Sequence, residues 1–171
     1  GGREHAIARA LKYSPLISKL FIAPGNPGMQ KLGECKKIPV DDIDAICDLA
    51  KTIEANLVVI GPEVPLVKGL KNKLSQIDIK AFGPTAEAAM LEGSKTFSRN
   101  FCKKYNIPQP KFNYFTDIKL ALGEVEKLNG YCVVKADGLA AGKGVIVCNN
   151  KKEAQLACEE MLHNKKFGQS S

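Results

Sequence analysis

Three observations predict an α/β fold in two parts. Short β-branched runs alternate with helix-period segments over the first half of the chain. Near its end, a glycine-dense loop lies between two strand-like runs, VVKA and VIVC. Finally, 171 residues with 44% hydrophobic and 25% charged content are enough to bury a core and are balanced as in a globular protein. Alternation of strand and helix implies a parallel sheet in the first part, and the strand–loop–strand pattern implies a smaller unit built on a hairpin in the second.

The strands of the first part are expected at residues 20–23, 37–40, 57–60 and 79–82, with helices between them. The clearest helix covers 41–54, where Ile43, Ile46, Cys47, Ala50 and Ile53 recur at helical spacing. Asp41, Asp42 and Asp44 supply its cap and suit the positive end of its dipole. Three loops follow strands: APGNPG at 23–28, GPEVP at 61–65 and GPT at 83–85. Loops at the carboxyl ends of parallel strands are where such sheets bind ligands. The chain opens on Gly1-Gly2-Arg3, which looks like the end of a strand-to-helix turn without its strand, so the sequence reads as a fragment. Gly1 to Arg3, Pro24 to Asn26 and Gly61 to Glu63 are then expected to converge on one ligand.

A helical pair at 85–91 and 94–105 leads to Ile107-Pro108-Gln109-Pro110, where proline restricts itself and its predecessor. This places the boundary after residue 108, giving a first domain at 1–108 and a second at 109–171. The second reads as a strand at 111–115, then a helix capped by Thr116 or Asp117 and running to 128. A strand at 131–136, the glycine loop, a strand at 144–148 and a helix at 151–162 follow.

Composition excludes several classes. No apolar run approaches the about 18–20 residues that span a bilayer, and no leader opens the chain, so no membrane partner is expected. The net charge of +7 comes from scattered lysine pairs without interleaved aromatics, which suits anionic small substrates better than nucleic acid. The six cysteines lack C-x-x-C spacing and a nearby histidine. They read as reduced thiols of a cytoplasmic protein, with Cys47 and Cys158 on apolar helix stripes and Cys132 and Cys148 in strands.

The chemistry is concentrated in DGLAAGKG at 137–144. Gly138, Gly142 and Gly144 with two alanines leave nothing to keep the backbone away from a phosphate. Successive N–H groups can cradle anionic oxygens, and Lys135 and Lys143 add positive charge. A Walker A loop requires G-x-x-x-x-G-K-[ST], but only three residues separate Gly138 from Gly142, and Gly144 stands in the hydroxyl position. With strands on both sides, the segment is a hairpin flap over the phosphates of a nucleoside triphosphate.

VVKADGLAAGKGVIV at 133–147, GPTAEAAMLEGSK at 83–95, APGNPG, GPEVPL and the opening GGREHA, in this order, resemble the phosphoribosylamine–glycine ligase (glycinamide ribonucleotide synthetase) family of the ATP-grasp superfamily. The resemblance covers essentially the whole chain. It implies a Rossmann-like, pre-ATP-grasp N-terminal domain followed by an ATP-grasp lid carrying the flap. It also implies ligation of glycine to 5-phosphoribosylamine with ATP and magnesium, through a glycyl phosphate, in purine biosynthesis. Lys95 and Lys135 match the nucleotide-binding lysines, with Asp137, Gly138, Leu139, Ala140, Ala141, Gly142, Lys143, Gly144 and Val145 around the phosphates. Gly1, Gly2, Arg3 and Glu4, Pro24, Gly25 and Asn26, and Gly61, Pro62 and Glu63 match loops facing phosphoribosylamine. His5, alone at a helix start, reads as structural. In the family the acidic segment that grips adenosine and the magnesium ligands lie beyond residue 171, so the isolated segment is expected not to turn over.

Two rivals are weaker. Another carboxylate–amine ligase of the superfamily would share the flap but not the three upstream loops. A dinucleotide-binding protein needs G-x-G-x-x-G, and GGREHA lacks the third glycine.

Overall fold

A computed structural model describes residues 1–140 and 143–164. The chain forms two compact units, Gly1–Ala89 and Met90–Ser171. The fold is α/β, as the alternation predicts.

The first unit begins with helix α1 (Gly2–Lys12), followed by β1 (Phe21–Ile22), a 3-10 turn at Pro27–Lys31 and β2 (Glu34–Cys35). Then come α2 (Ile43–Thr52), β3 (Val58–Val59), α3 (Glu63–Val67), α4 (Leu70–Gln76) and β4 (Ala81–Phe82). The strands form two parallel pairs, β1–β2 with Phe21 opposite Glu34, and β3–β4 with Val58 opposite Ala81. The second strand therefore lies upstream of the expected 37–40. Gly33 lets the chain pass against the Leu20 carbonyl, where a Cβ would collide with it. Pairing then runs through Glu34 N–H to Leu20 O at 2.9 Å and Lys36 N–H to Ile22 O at 2.8 Å. Past that point the ladder ends. Ile38 N–H turns back to Lys36 O at 2.8 Å, and Pro39 has no N–H to offer.

Helix α2 forms as its periodicity requires. The Asp42 carboxylate accepts the Ala45 N–H at 3.1 Å, and Ile43, Cys47 and Ala50 are buried. Asp41 and Asp44 instead pair with Lys68 and Lys73. The buried stripe of α2 meets Ile60, Leu70 and Leu74 in the core of this unit. Burying a side chain such as Leu74 contributes about 1.5–3 kcal/mol.

Helix α5 (Ala86–Gly93) contains the division between the units. The second unit continues through α6 (Lys95–Lys104), α7 (Ile118–Lys127), β5 (Tyr131–Lys135), β6 (Val145–Asn149) and α8 (Lys151–Cys158), which ends in a π-helical turn at Glu159–His163. Strands β5 and β6 form an antiparallel hairpin. Cys132, Val134, Ile146 and Cys148 pack with Ala121 and Val125 of α7 and Ala154, Ala157 and Cys158 of α8. The expected strand at 111–115 is absent: two prolines precede it, no ladder forms, and Phe115 contributes to the core from a loop. The compact units divide at Ala89 and Met90, so α6 belongs with the hairpin, whereas the proline punctuation pointed to residue 108.

Candidate functional site

The anticipated site residues fall in two groups, one in each unit. In the first unit, the start of α1 meets the loop before α3. Arg3 Nη1 lies 3.0 Å from Glu63 Oε1, and Arg3 Nε lies 3.1 Å from Glu4 Oε1. Gly61 is a close approach, since a Cβ there would stand 2.8 Å from Glu4 Cγ. The APGNPG loop joins the same end. A Cβ on Gly28 would stand 2.7 Å from His5 Cε1, so His5 packs against the 3-10 turn that Asn26 caps through Met29 N–H at 3.2 Å. Gly25 takes φ +80°, in the left-handed region.

This end carries one guanidinium between two carboxylates. The hydrogen bond from Arg3 holds the Glu63 carboxyl below the usual carboxylate range, and Glu63 in turn raises the guanidinium of Arg3. The Arg3 and Glu63 side chains are 56% and 42% exposed, so water competes for both and an arriving anion can replace either carboxylate on Arg3.

In the second unit, the flap rises from the β5–β6 hairpin. Lys135 is paired with Val145, and Ala136 N–H donates to Gly144 O at 2.9 Å. Ala136 and Gly144 are buried at the root. A Cβ on Gly144 would stand 2.6 Å from the Ala140 Cβ and 3.2 Å from the Ala136 Cβ, so small residues let the loop fold back on its own strands. Lys143 N–H donates to Ala140 O at 2.9 Å, and Gly138 takes φ +81°. Lys135 and Lys143 are exposed. Ala141 and Gly142 lie outside the described residues.

Lys95 and the flap, assigned together from resemblance, are in direct contact: Lys95 Nζ donates to Gly138 O at 2.9 Å. The Asp137 carboxylate faces the N-terminus of α6. Its Oδ1 accepts N–H groups from Lys95 at 2.5 Å, Gly138 at 2.9 Å and Thr96 at 3.2 Å, and its Oδ2 accepts the Ser94 hydroxyl at 3.0 Å. Burial pushes the Asp137 carboxyl up, but the bonds from Thr96, Ser94, Gly138 and Lys95 outweigh it and hold the group below its ordinary value. Ser94 also caps α6 by accepting the Phe97 N–H at 3.0 Å. Sequence reasoning missed Ser94 as part of this cluster. A serine directly before a helix is an N-cap signal, but the residues it would meet there are not adjacent in sequence.

Residues 1–92 match the family model described as phosphoribosylglycinamide synthetase, N domain. Residues 93–171 match the one described as phosphoribosylglycinamide synthetase, ATP-grasp (A) domain. Among curated relatives, a phosphoribosylamine–glycine ligase of Escherichia coli O6:H1 is 44% identical over 170 residues, covering 98% of this chain and 40% of the relative. That of Listeria monocytogenes serovar 1/2a is also 44% identical, over 173 residues, covering all of this chain and 41% of the relative. The chain thus spans about two fifths of the length of these relatives. A solved phosphoribosylamine–glycine ligase of Thermotoga maritima superposes with a TM-score of 0.74 at 29% identity, covering 98% of this chain and 39% of that one. The biotin carboxylase domain of a Hydrogenobacter thermophilus 2-oxoglutarate carboxylase, 20% identical, shares the fold at a TM-score of 0.74 over 96% of this chain and 40% of its own.

Proposed function

Because the chain belongs to the phosphoribosylglycinamide synthetase family, we propose that it supplies the amine-substrate loops and the phosphate flap of an ATP-dependent ligase joining glycine to 5-phosphoribosylamine. The observation carrying this reading is the contact of Lys95 with Gly138 at the root of a flap made of small residues. Lys95 is held beneath a loop with no bulk to keep a phosphate away, and a lysine beside such a loop suits a phosphoryl group.

The chemistry follows from what such groups do. A carboxylate is a poor acyl donor, so the γ-phosphoryl of ATP passes to an oxygen of glycine, releasing ADP and giving an acyl phosphate. The amine of phosphoribosylamine attacks the acyl carbon, the carbon–nitrogen bond forms, and phosphate leaves. No protein nucleophile is required. Lys95, Lys135 and the flap N–H groups neutralise charge on the transferring phosphoryl group, and the closed flap excludes water. In the first unit, Arg3 is the cation suited to the 5-phosphate, and Glu4 and Glu63 are suited to the ribose hydroxyls and the amine.

Among the described residues, no three His, Cys, Asp or Glu side chains cluster to hold a cation. The resemblance implies magnesium with its ligands beyond residue 171. Among the described residues no helix is long and apolar enough to cross a membrane. The six free cysteines suit a reducing compartment such as the cytoplasm.

The test is Lys135→Ala in the full-length enzyme, assayed for glycinamide ribonucleotide and ADP. Ligation is expected to fall by about 100-fold or more, the scale for losing one preorganised donor at a developing charge. Unchanged ATP affinity and rate would overturn the assignment. Product formed with a different amine acceptor, and none with phosphoribosylamine, would move the chain to another ligase of the superfamily.

A further inference from the structure

Asp137 is the acidic residue in a loop otherwise small, apolar or basic, where a carboxylate repels an approaching phosphate. Both of its oxygens are engaged: three N–H donors on Oδ1 and the Ser94 hydroxyl on Oδ2. Oδ1, with about two lone-pair sites, is shared by three donors, and Oδ2 takes one, so most of this carboxylate's accepting capacity is used within the protein. Three of these donors, Ser94, Lys95 and Thr96, belong to the start of α6, whose free N–H groups and dipole favour a negative partner. The fourth is the Gly138 N–H, and the carbonyl of Gly138 receives Lys95 Nζ. One carboxylate therefore ties the end of β5 to α6, and the lysine closes the ring from the other side.

We infer that Asp137 is a positioning residue: it caps α6 and fixes the Gly138 peptide, so that Lys95 and the flap are presented to a phosphate as one preassembled unit. The effect on ligation rests on the function proposed above, whereas the clamp itself does not.

In the intact ligase, Asp137→Ala is expected to lower kcat/KM for ATP about 100-fold, the scale on which a displaced catalytic group loses rate, with the KM for glycine unchanged. Asp137→Asn keeps an oxygen for the three N–H donors and presents an amino group to the Ser94 oxygen, so it recovers most of the loss. In a Lys95→Ala background, Asp137→Ala adds little, because groups acting through one another are not additive. Independently of turnover, amide exchange at Lys95, Thr96 and Gly138 accelerates in Asp137→Ala and not in Asp137→Asn. If Asp137→Ala does not fold, Ser94→Ala removes one donor to Asp137 together with the Phe97 cap, leaves the three N–H donors in place, and gives a smaller change in the same direction.

The inference is overturned if Asn is as damaging as Ala, which makes the charge itself the functional element. It is equally overturned if the Lys95 and Asp137 effects multiply independently, or if exchange at the three amides is unaffected. A wild-type protein that forms no product defeats the functional reading instead, and the exchange experiment still judges the clamp.

Discussion

The guanidinium of Arg3 and the carboxylate of Glu63, sixty residues apart in sequence, meet at 3.0 Å. The pair joins the first turn of α1 to the first residue of α3. Arg3 is more than half exposed, so the contact contributes little to stability. In the proposed function it holds a cation ready for the substrate phosphate. In the intact enzyme, Arg3→Ala is expected to raise the KM for phosphoribosylamine about tenfold or more, as befits a lost charge-assisted hydrogen bond. The KM for ATP and the melting temperature should not change. Glu63→Gln is expected to act more weakly, since Arg3 keeps Glu4 as a partner. An unaltered phosphoribosylamine KM in steady-state kinetics of Arg3→Ala would remove this arginine from the substrate site.

Gly144 gives a sharper steric prediction. A methyl group there would stand 2.6 Å from Ala140 Cβ and 3.2 Å from Ala136 Cβ, and the buried Ala136 at the end of β5 has no room to retreat. In Gly144→Ala the loop at Ala140 must move outward. Overpacking of this kind costs about 1–3 kcal/mol, and a displaced flap can lose up to about 100-fold in kcat/KM for ATP. Gly123 is the control. It lies in α7 with open space where a Cβ would go, and Gly123→Ala should stabilise the unit by about 0.5–1 kcal/mol without touching turnover. Denaturant unfolding and steady-state kinetics on the two variants separate these outcomes.

The same glycine shows where the sequence could be read and where it could not. Alternating strands and helices, the α2 stripe and the flap were legible because each depends on residues close together in the chain. The packing of Gly144 on Ala136 follows from that local pattern too. Strand β2 was placed a few residues late. Its position depends on Gly33 passing the Leu20 carbonyl, a contact between distant segments, while the β-branched run at 37–40 suggested pairing by composition alone. Helices α3 and α4 were not resolved as elements. Pro65 and Gly69 break the periodicity of a short stretch, although Pro65 is tolerated in the first turn of α3 and Gly69, at φ +85°, is the turn into α4. In the second unit the role of Lys95 came from resemblance, and no local pattern tied Asp137 to Ser94, because the link spans forty-three residues.

The thiols provide a check on burial. Cys47, Cys148 and Cys158 are buried, and burial pushes all three thiols up, as it does the half-buried Cys132. The thiolate is the reactive form. In the native protein, alkylation followed by mass spectrometry should label Cys35 and Cys102 first and Cys47, Cys148 and Cys158 last, with all six reacting together once the chain is unfolded. Early labelling of Cys148 would contradict the packing of the hairpin on α7 and α8.

Acid should weaken the second unit through Asp137. Burial alone would raise this carboxyl, yet bonds from Thr96, Ser94, Gly138 and Lys95 bring it below its ordinary value. A native carboxyl below the unfolded value of about 3.9 stabilises the fold when ionised. That contribution is fully present above the unfolded value and is lost as the pH falls through the lowered native one. Urea unfolding of the wild type and Asp137→Ala between neutral pH and about pH 3 should therefore show a constant stability gap down to about pH 4–5, narrowing below it as the wild-type carboxyl takes up its proton. Glu153 also titrates low, through the Asn149 N–H it accepts, but it is present in both proteins and cancels from the difference. A gap that persists undiminished in acid would mean that Asp137 contributes by packing alone, and the four donors on its oxygens would then need another explanation.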